Sequence, residues 1–242
     1  MTTLLESLRY VLLKADPALS PDTKRILLKS ALQGFVLDFV YNHARYRKLN
    51  FYGGTCLQVV YSLNRLSEDL DFDNGGGVDI SMLSDELQSL FQNNLGYNET
   101  VVKLQRSEQG IQRITLKFPI LNALGLSPLA KEALHLKVEV SHHQQVAVIQ
   151  HTPIFFQGRS FVPAHFSLET MMAGKIIACL ERNFQSGRTG TLIKGRDFYD
   201  LLWFMQKGVQ PMPEKLAQDG AKPYTTQNLP GLPRPGRFRD RF

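Results

Sequence analysis

The sequence predicts an α+β fold: a mixed sheet with flanking helices, followed by a mostly helical C-terminal part. Three observations lead there. Helical apolar periodicity opens the chain, alternating strand patterns fill much of residues 100–156, and helical periodicity returns after Pro163. The corresponding plan is an α/β domain over 1–163, a helical domain over 164–210 and a Pro/Gly-rich basic tail over 211–242.

Ser20-Pro21-Asp22 marks a helix start, and Ile26, Leu27, Leu32, Phe35, Val36 and Phe39 carry its apolar face. Leu49 to Tyr52 is a short run into Gly53-Gly54, and Cys56 to Leu63 is helical in pattern. Asp69 to Asp73 alternates acidic and apolar residues, a half-buried strand that Gly75-Gly76-Gly77 ends. Ile80 to Leu95 is helical, with Met82, Leu83, Leu87, Leu90 and Phe91 as its inner stripe. Strand patterns then occupy Thr100 to Leu104, Ile114 to Phe118, Leu134 to Val140, and Val146 to Phe156 with a break at Pro153. Ser167 to Asn183 and Arg196 to Met205 are helical. From Ala221 the composition turns extended and polar, with four prolines and two glycines.

A 43% apolar and 21% charged composition over 242 residues supports a sizeable core. No stretch reaches the roughly 18 apolar residues of a membrane span. Met1 to Lys14 contains Glu6 and no small-residue cleavage pattern, which argues against a signal peptide. Cys56 and Cys179 each sit in an apolar run without metal-type spacing, so two buried thiols and a cytoplasmic location are expected. The net charge of +6 is concentrated at the end, where Lys222, Arg234, Arg237, Arg239 and Arg241 face only Asp240. About +2 remains for the first 220 residues, so overall charge argues only weakly for a polynucleotide partner.

The chemistry concentrates between Phe51 and Phe72. Gly53 and Gly54 lack side chains and admit a phosphate to the backbone, and the helix behind them offers unpaired N–H groups and a positive dipole end. Thr55 adds a hydroxyl donor. Asp69 and Asp71, two apart on a strand, share a face, while Leu70 and Phe72 point into the core. Two carboxylates so spaced suit Mg²⁺ or Mn²⁺ that also touches substrate phosphates. Without a cation, Asp69, Asp71 and Asp73 would raise one another's pKa. Glu139, on the same face of its strand as Lys137, is a candidate third metal ligand from an adjacent strand. His142-His143 lies in a hairpin turn without a suitably spaced fourth ligand, so zinc is not expected. Later in the chain, Lys175 and Arg182 share a helix face beside apolar residues, where an anion such as a triphosphate would meet the lysine. Asp197 sits at the start of the next helix, already a stabilising place for an acid.

The run Gly-Gly-Thr-x-Leu, then Arg65-x-Ser67-x-Asp-Leu-Asp-Phe, then Lys175 and Arg196-Asp197-x-Tyr-Asp, resembles the AbiEii/AbiGii toxin family, which includes the mycobacterial MenT toxins. The resemblance spans roughly residues 25 to 205. It implies a DNA polymerase β-type nucleotidyltransferase fold and a toxin–antitoxin or phage-abortive setting. It also implies nucleotide addition to the 3′ end of tRNA and a separately encoded antitoxin with a winged-helix part. By motif, Gly53, Gly54 and Thr55 would hold phosphate of the NTP substrate, with Arg65 and Ser67 in support. Asp69 and Asp71 would hold the metal, Lys175 would contact the nucleotide phosphates, and Asp197 would complete the catalytic set. The Pro-rich, basic continuation after this last motif departs from the further packed helices usual in the family.

Two other readings stand beside this one. The same site serves an enzyme that modifies a small molecule or a protein hydroxyl, and the basic tail alone would serve a non-enzymatic nucleic-acid or partner-binding module.

Overall fold

Two local signals start the helices at the beginning of the chain. Thr3 and Glu6 form a reciprocal capping box ahead of α1 (Leu4–Lys14). Ser20 accepts a hydrogen bond from the Thr23 N–H at 3.2 Å, and Pro21 takes the first turn of α2 (Pro21–Asn42). Leu28, Leu32, Val36 and Val40 recur at helical spacing along α2 and are fully buried. The computed structural model describes residues 3–106, 110–185 and 195–225.

Next in order come β1 (Asn50–Tyr52), α3 (Gly53–Tyr61) and β2 (Leu70–Asp73). A short α4 (Leu83–Ser89) runs on into a π turn at Leu90–Asn94. The strands β3 (Val101–Arg106), β4 (Ile111–Phe118), β5 (Leu134–Ser141), β6 (Ile149–His151), β7 (Ile154–Phe156), β8 (Arg159–Phe161) and β9 (Ala164–Phe166) follow. The last helices are α5 (Leu168–Gln185), α6 (Gly195–Gln206) and α7 (Pro213–Gln218).

The chain divides into two compact units, Met1–Gln144 with His151–His165, and Gln145–Gln150 with Phe166–Phe242. In the first, the sheet runs in the order β3-β4-β5-β2-β1-β9, each strand bonded to the next. It is mixed: β2 is parallel to β5 and antiparallel to β1, while β9 returns parallel to β1. Alternation sorts its two faces. Leu70, Phe72, Ile114, Leu116, Leu136, Val138 and Val140 are fully buried on one, and the polar residues between them occupy the other. Phe51 stacks on Phe72 at 5.6 Å between ring centres, which fixes β1 against β2 and so locates everything on the opposite side.

In the second unit, Met171, Met172, Ile176 and Ile177 of α5 are buried, as are Phe204 of α6 and Leu216 of α7. Lys215 is buried too. Its ammonium donates to Gln145 Oε1 at 3.1 Å and Asp219 Oδ2 at 2.5 Å, while Asp219 accepts from the Val146 N–H.

Several details differ from the sequence reading. The helix expected from Cys56 starts at Gly53, because the glycines themselves form its first turn. Met82 is 47% exposed and lies outside the inner stripe, one residue before α4 begins. β8 and β9 were not anticipated, and β9 carries the sheet past residue 163. Within the expected tail, Pro213–Gln218 forms α7 with Leu216 and Tyr224 buried, while 226–242 lies outside the described residues. Cys56 and Cys179 are free thiols, the first buried and the second only half-buried. Burial pushes the Cys56 thiol well above its usual range, helped by the nearby Asp71 carboxylate.

Candidate active site

Each of the first three residues of α3 touches a different part of the 65–71 segment. Gly53 has φ +79°, a value that side chains resist, and a Cβ there would stand 3.0 Å from Asp71 Cγ and closer still to Oδ2. The carboxylate therefore lies against the turn, a consequence of β1–β2 pairing, which makes Tyr52 and Asp71 Cα partners. A Cβ on Gly54 would meet Arg65 Nη2 at 2.8 Å and Ser67 Oγ at 2.9 Å. Thr55, fully buried, donates its hydroxyl to the Asp69 carbonyl at 2.5 Å. That hydroxyl, expected from the sequence to face phosphate, ties the turn to the start of the acidic strand in this structure.

The connecting loop is clamped from both sides. Gln58 Oε1 accepts from the Ser67 N–H at 2.9 Å, and the fully buried Gln33 of α2 donates to the Ser67 carbonyl at 3.0 Å. Neither glutamine stood out in the sequence. Tyr52, at the N-cap of α3, makes no side-chain cap bond, so its side chain does not cap the positive end of the helix.

The three aspartates are not equivalent. Asp69 and Asp71 are half-buried, but Asp73 is 3% exposed and accepts from Asn50 Nδ2 at 3.0 Å and the Gly75 N–H at 3.2 Å. Asp73 thus holds the strand end in place. Glu139 is the Cα partner of Asp71 across β2–β5, as its proposed third-ligand role requires. Its carboxylate accepts from Arg113 Nε of β4 at 2.5 Å and raises the pKa of that guanidinium. Asp69 adds a smaller push in the same direction. Sequence reasoning missed Arg113; the signal was its place on the polar face of an alternating strand.

In the second unit, Lys175 Nζ lies 3.1 Å from Asp197 Oδ1 and 2.9 Å from Asp200 Oδ2. Asp200 is fully buried and Asp197 nearly so. The lysine that the sequence offered to a triphosphate is accordingly already met by two carboxylates. The side chain of Arg182 lies outside the described residues.

The family described as "Nucleotidyl transferase AbiEii toxin, Type IV TA system" matches residues 42–241. This chain belongs to the AbiEii family. It is thus a nucleotidyltransferase, the toxin of a toxin–antitoxin system, with an NTP as substrate and an antitoxin as counterpart. No curated protein matches the chain. A crystal structure of an H. pylori protein assigned as a nucleotidyltransferase is similar over 75% of this chain and 68% of its own, at 21% identity and TM-score 0.47.

The donor set of this AbiEii protein suits a hard cation in part. Asp69 and Asp71 offer carboxylate oxygens on one face, and such an ion completes its shell with phosphate oxygens and water. Among the described residues, no three His, Cys, Asp or Glu side chains are grouped as a metal site, and Glu139 is engaged by Arg113. No described helix is long and apolar enough to cross a membrane.

Proposed function

We propose that this toxin transfers a nucleoside monophosphate from an NTP to the 3′ end of tRNA and so blocks translation. The observation that carries the reading is the packing of the Asp71 carboxylate against Gly53, at the open first turn of α3. A triphosphate at that turn meets backbone N–H groups while the two aspartates flank its reacting phosphorus. The acceptor's 3′ oxygen attacks the α-phosphorus as its hydroxyl loses a proton, the α–β phosphoanhydride bond breaks, and pyrophosphate leaves. Asp69 and Asp71 would hold Mg²⁺ or Mn²⁺, with Glu139 as a third carboxylate if it leaves Arg113, and such an ion would supply charge neutralisation on the phosphates.

The chain's own residues do the positioning. Gly53 and Gly54 leave room for phosphate, Thr55 fixes the turn to the strand, and Arg65 and Ser67 pack over Gly54. By the family resemblance Lys175 and Asp197 belong to the nucleotide-binding and catalytic set, and within the second unit Asp197 holds that ammonium. The acceptor rests on the family resemblance, as does an antitoxin with a winged-helix part; the cytoplasmic setting rests on the two cysteines read as thiols.

The test supplies labelled NTPs with Mg²⁺ and, in parallel, total tRNA, a small-molecule acceptor mixture and protein acceptors. Label should enter tRNA, disappear with chelator, and be lost in Asp69→Ala and Asp71→Ala. Equal incorporation by either variant ends the assignment, and label in another acceptor class redirects it.

A further inference from the structure

We propose that the open face of β3, β4 and β5 binds the phosphate backbone of the RNA acceptor through Lys103, Lys117 and Lys137. This inference rests on the RNA-transfer reading above and adds where the substrate lies.

The pairing register puts these residues together. Lys137 pairs with Thr115, which pairs in turn with Lys103, and Lys117 pairs with His135. Neighbouring strands lie about 4.8 Å apart, so these residues form adjacent rows on one polar surface. Leu134, Leu136, Val138 and Val140 alternate with them on β5 and are buried, so the basic set faces away from the core. Lys103, His135 and Lys137 are exposed, and Lys117 is half-exposed.

Within the three strands positive charge predominates, while Asp22, Glu68 and Glu132 line a neighbouring pocket with His135. Glu139 is the only acidic residue in the three strands, and Arg113 pairs with it. Elsewhere in this unit, cations meet acids: Arg25 meets Glu132, Lys29 meets Glu68, and Arg45 meets Asp79. Among the described residues, Lys103, Lys117 and Lys137 make no such pair. Lys117 and Lys137 are diagonal neighbours across β4 and β5, and a polyanion would offset the repulsion between their charges. His135 sits among these charges: partial desolvation lowers its pKa first, and Lys117, Lys29 and Lys137 lower it further.

Location supports the assignment. The row beginning at Arg113 continues through Glu139 to Asp71, so the lysines lie on the sheet that carries the acid pair. Total charge gave no sign of this, because the +2 of the first 220 residues averages over both faces. A plainer reading is that Lys103 protects an exposed sheet edge, β3 being the terminal strand. That role would not require RNA affinity to depend on Lys117 and Lys137.

The experiment compares the full chain with a triple variant, Lys103→Gln, Lys117→Gln and Lys137→Gln. Binding of fluorescently labelled tRNA is measured from 50 to 200 mM KCl, alongside binding of a fluorescent NTP analogue and a thermal melt. Removing three phosphate contacts should flatten the salt dependence by about three slope units and weaken tRNA on the order of 10²-fold near 100 mM salt. Nucleotide binding should remain. Replacing the same lysines by Arg should keep tRNA affinity, and Lys137→Gln alone should flatten the slope by about one unit should the triple variant fold poorly. Wild-type tRNA affinity and salt slope in the glutamine variants overturn the proposal. The two readings fail separately. If wild-type protein binds tRNA through these lysines yet transfers no label, the transfer reading falls. Equal labelling of subsaturating tRNA by the triple variant sinks the surface instead.

Discussion

Replacing Gly53 by Ala tests the tightest contact in the site. Two effects follow from the geometry. The first is backbone strain, because φ +79° suits an L side chain poorly and costs roughly 1–2 kcal/mol. In a chain of this size that lowers Tm by about 2–8 °C. The second is displacement. A methyl group 3.0 Å from Asp71 Cγ and nearer still to Oδ2 forces the carboxylate back by about 1 Å to ordinary contact. A shift of that size in a reacting group lowers transfer by about 10²-fold. Gly77→Ala separates the two effects, since Gly77 has φ +65° and nothing within 4 Å of where its methyl group would sit. It should show the same strain and keep its activity. Thermal melts and initial rates of NMP incorporation under saturating NTP measure both quantities. If Gly53→Ala transfers nucleotide within a few-fold of wild type, Asp71 does not need the place this turn gives it, and the reasoning fails.

Asp73→Asn should behave as a stability variant, losing about 1–3 kcal/mol in chemical denaturation because the charged acceptor that meets the Asn50 and Gly75 donors is lost and a buried NH2 donor takes the place of one oxygen. Asp71→Asn should melt near wild type yet lose transfer on the order of 10²–10³-fold; the reverse pattern would exchange the two roles. Lys175→Met should destabilise by about 3–5 kcal/mol, since it removes the ammonium that meets the fully buried Asp200. Combining it with Asp200→Asn should restore the melt without restoring transfer, whereas recovered transfer would remove Lys175 from the phosphate-binding set. His135 starts with its pKa below 6.5 through burial and its lysine neighbours Lys117, Lys29 and Lys137. Bound phosphate would raise that pKa, so binding takes up a proton and tRNA affinity should climb as pH falls through 6.5 toward the lowered value. His135→Gln should flatten this climb, and an unchanged pH profile would count against a phosphate near that ring.

What could be read directly from the residues was whatever repeats or sits close together in the chain. The alternation of β4 and β5 announced their faces, and the Gly-Gly-Thr and Asp-Leu-Asp groups, close in the chain, gave the expectation of phosphate and cation chemistry on which the proposed function rests. Differences among like residues were hidden. Asp71 and Asp73 look interchangeable in the chain, and only pairing with β1 brings Asn50 to one and Gly53 to the other. Arg113 met Glu139 through strand register, 26 residues away. β8 and β9 escaped notice because three-residue strands show too little periodicity, and the turn before β8 depends on positive φ at Gln157 and Gly158. The helix start at Gly53 ran against ordinary glycine preference and is held by contacts with the loop beyond.

Cys56 gives the chain a built-in chemical reporter. Its sulfur is sealed behind the turn, next to Asp71, and burial keeps the thiolate scarce. An alkylating reagent reaches it when α3 lifts away from β2, so pulse labelling counts those openings one molecule at a time. A nucleotide that clasps the turn would slow the modification of Cys56 while leaving half-buried Cys179 to react at its own pace, and occupancy could be followed without any turnover at all.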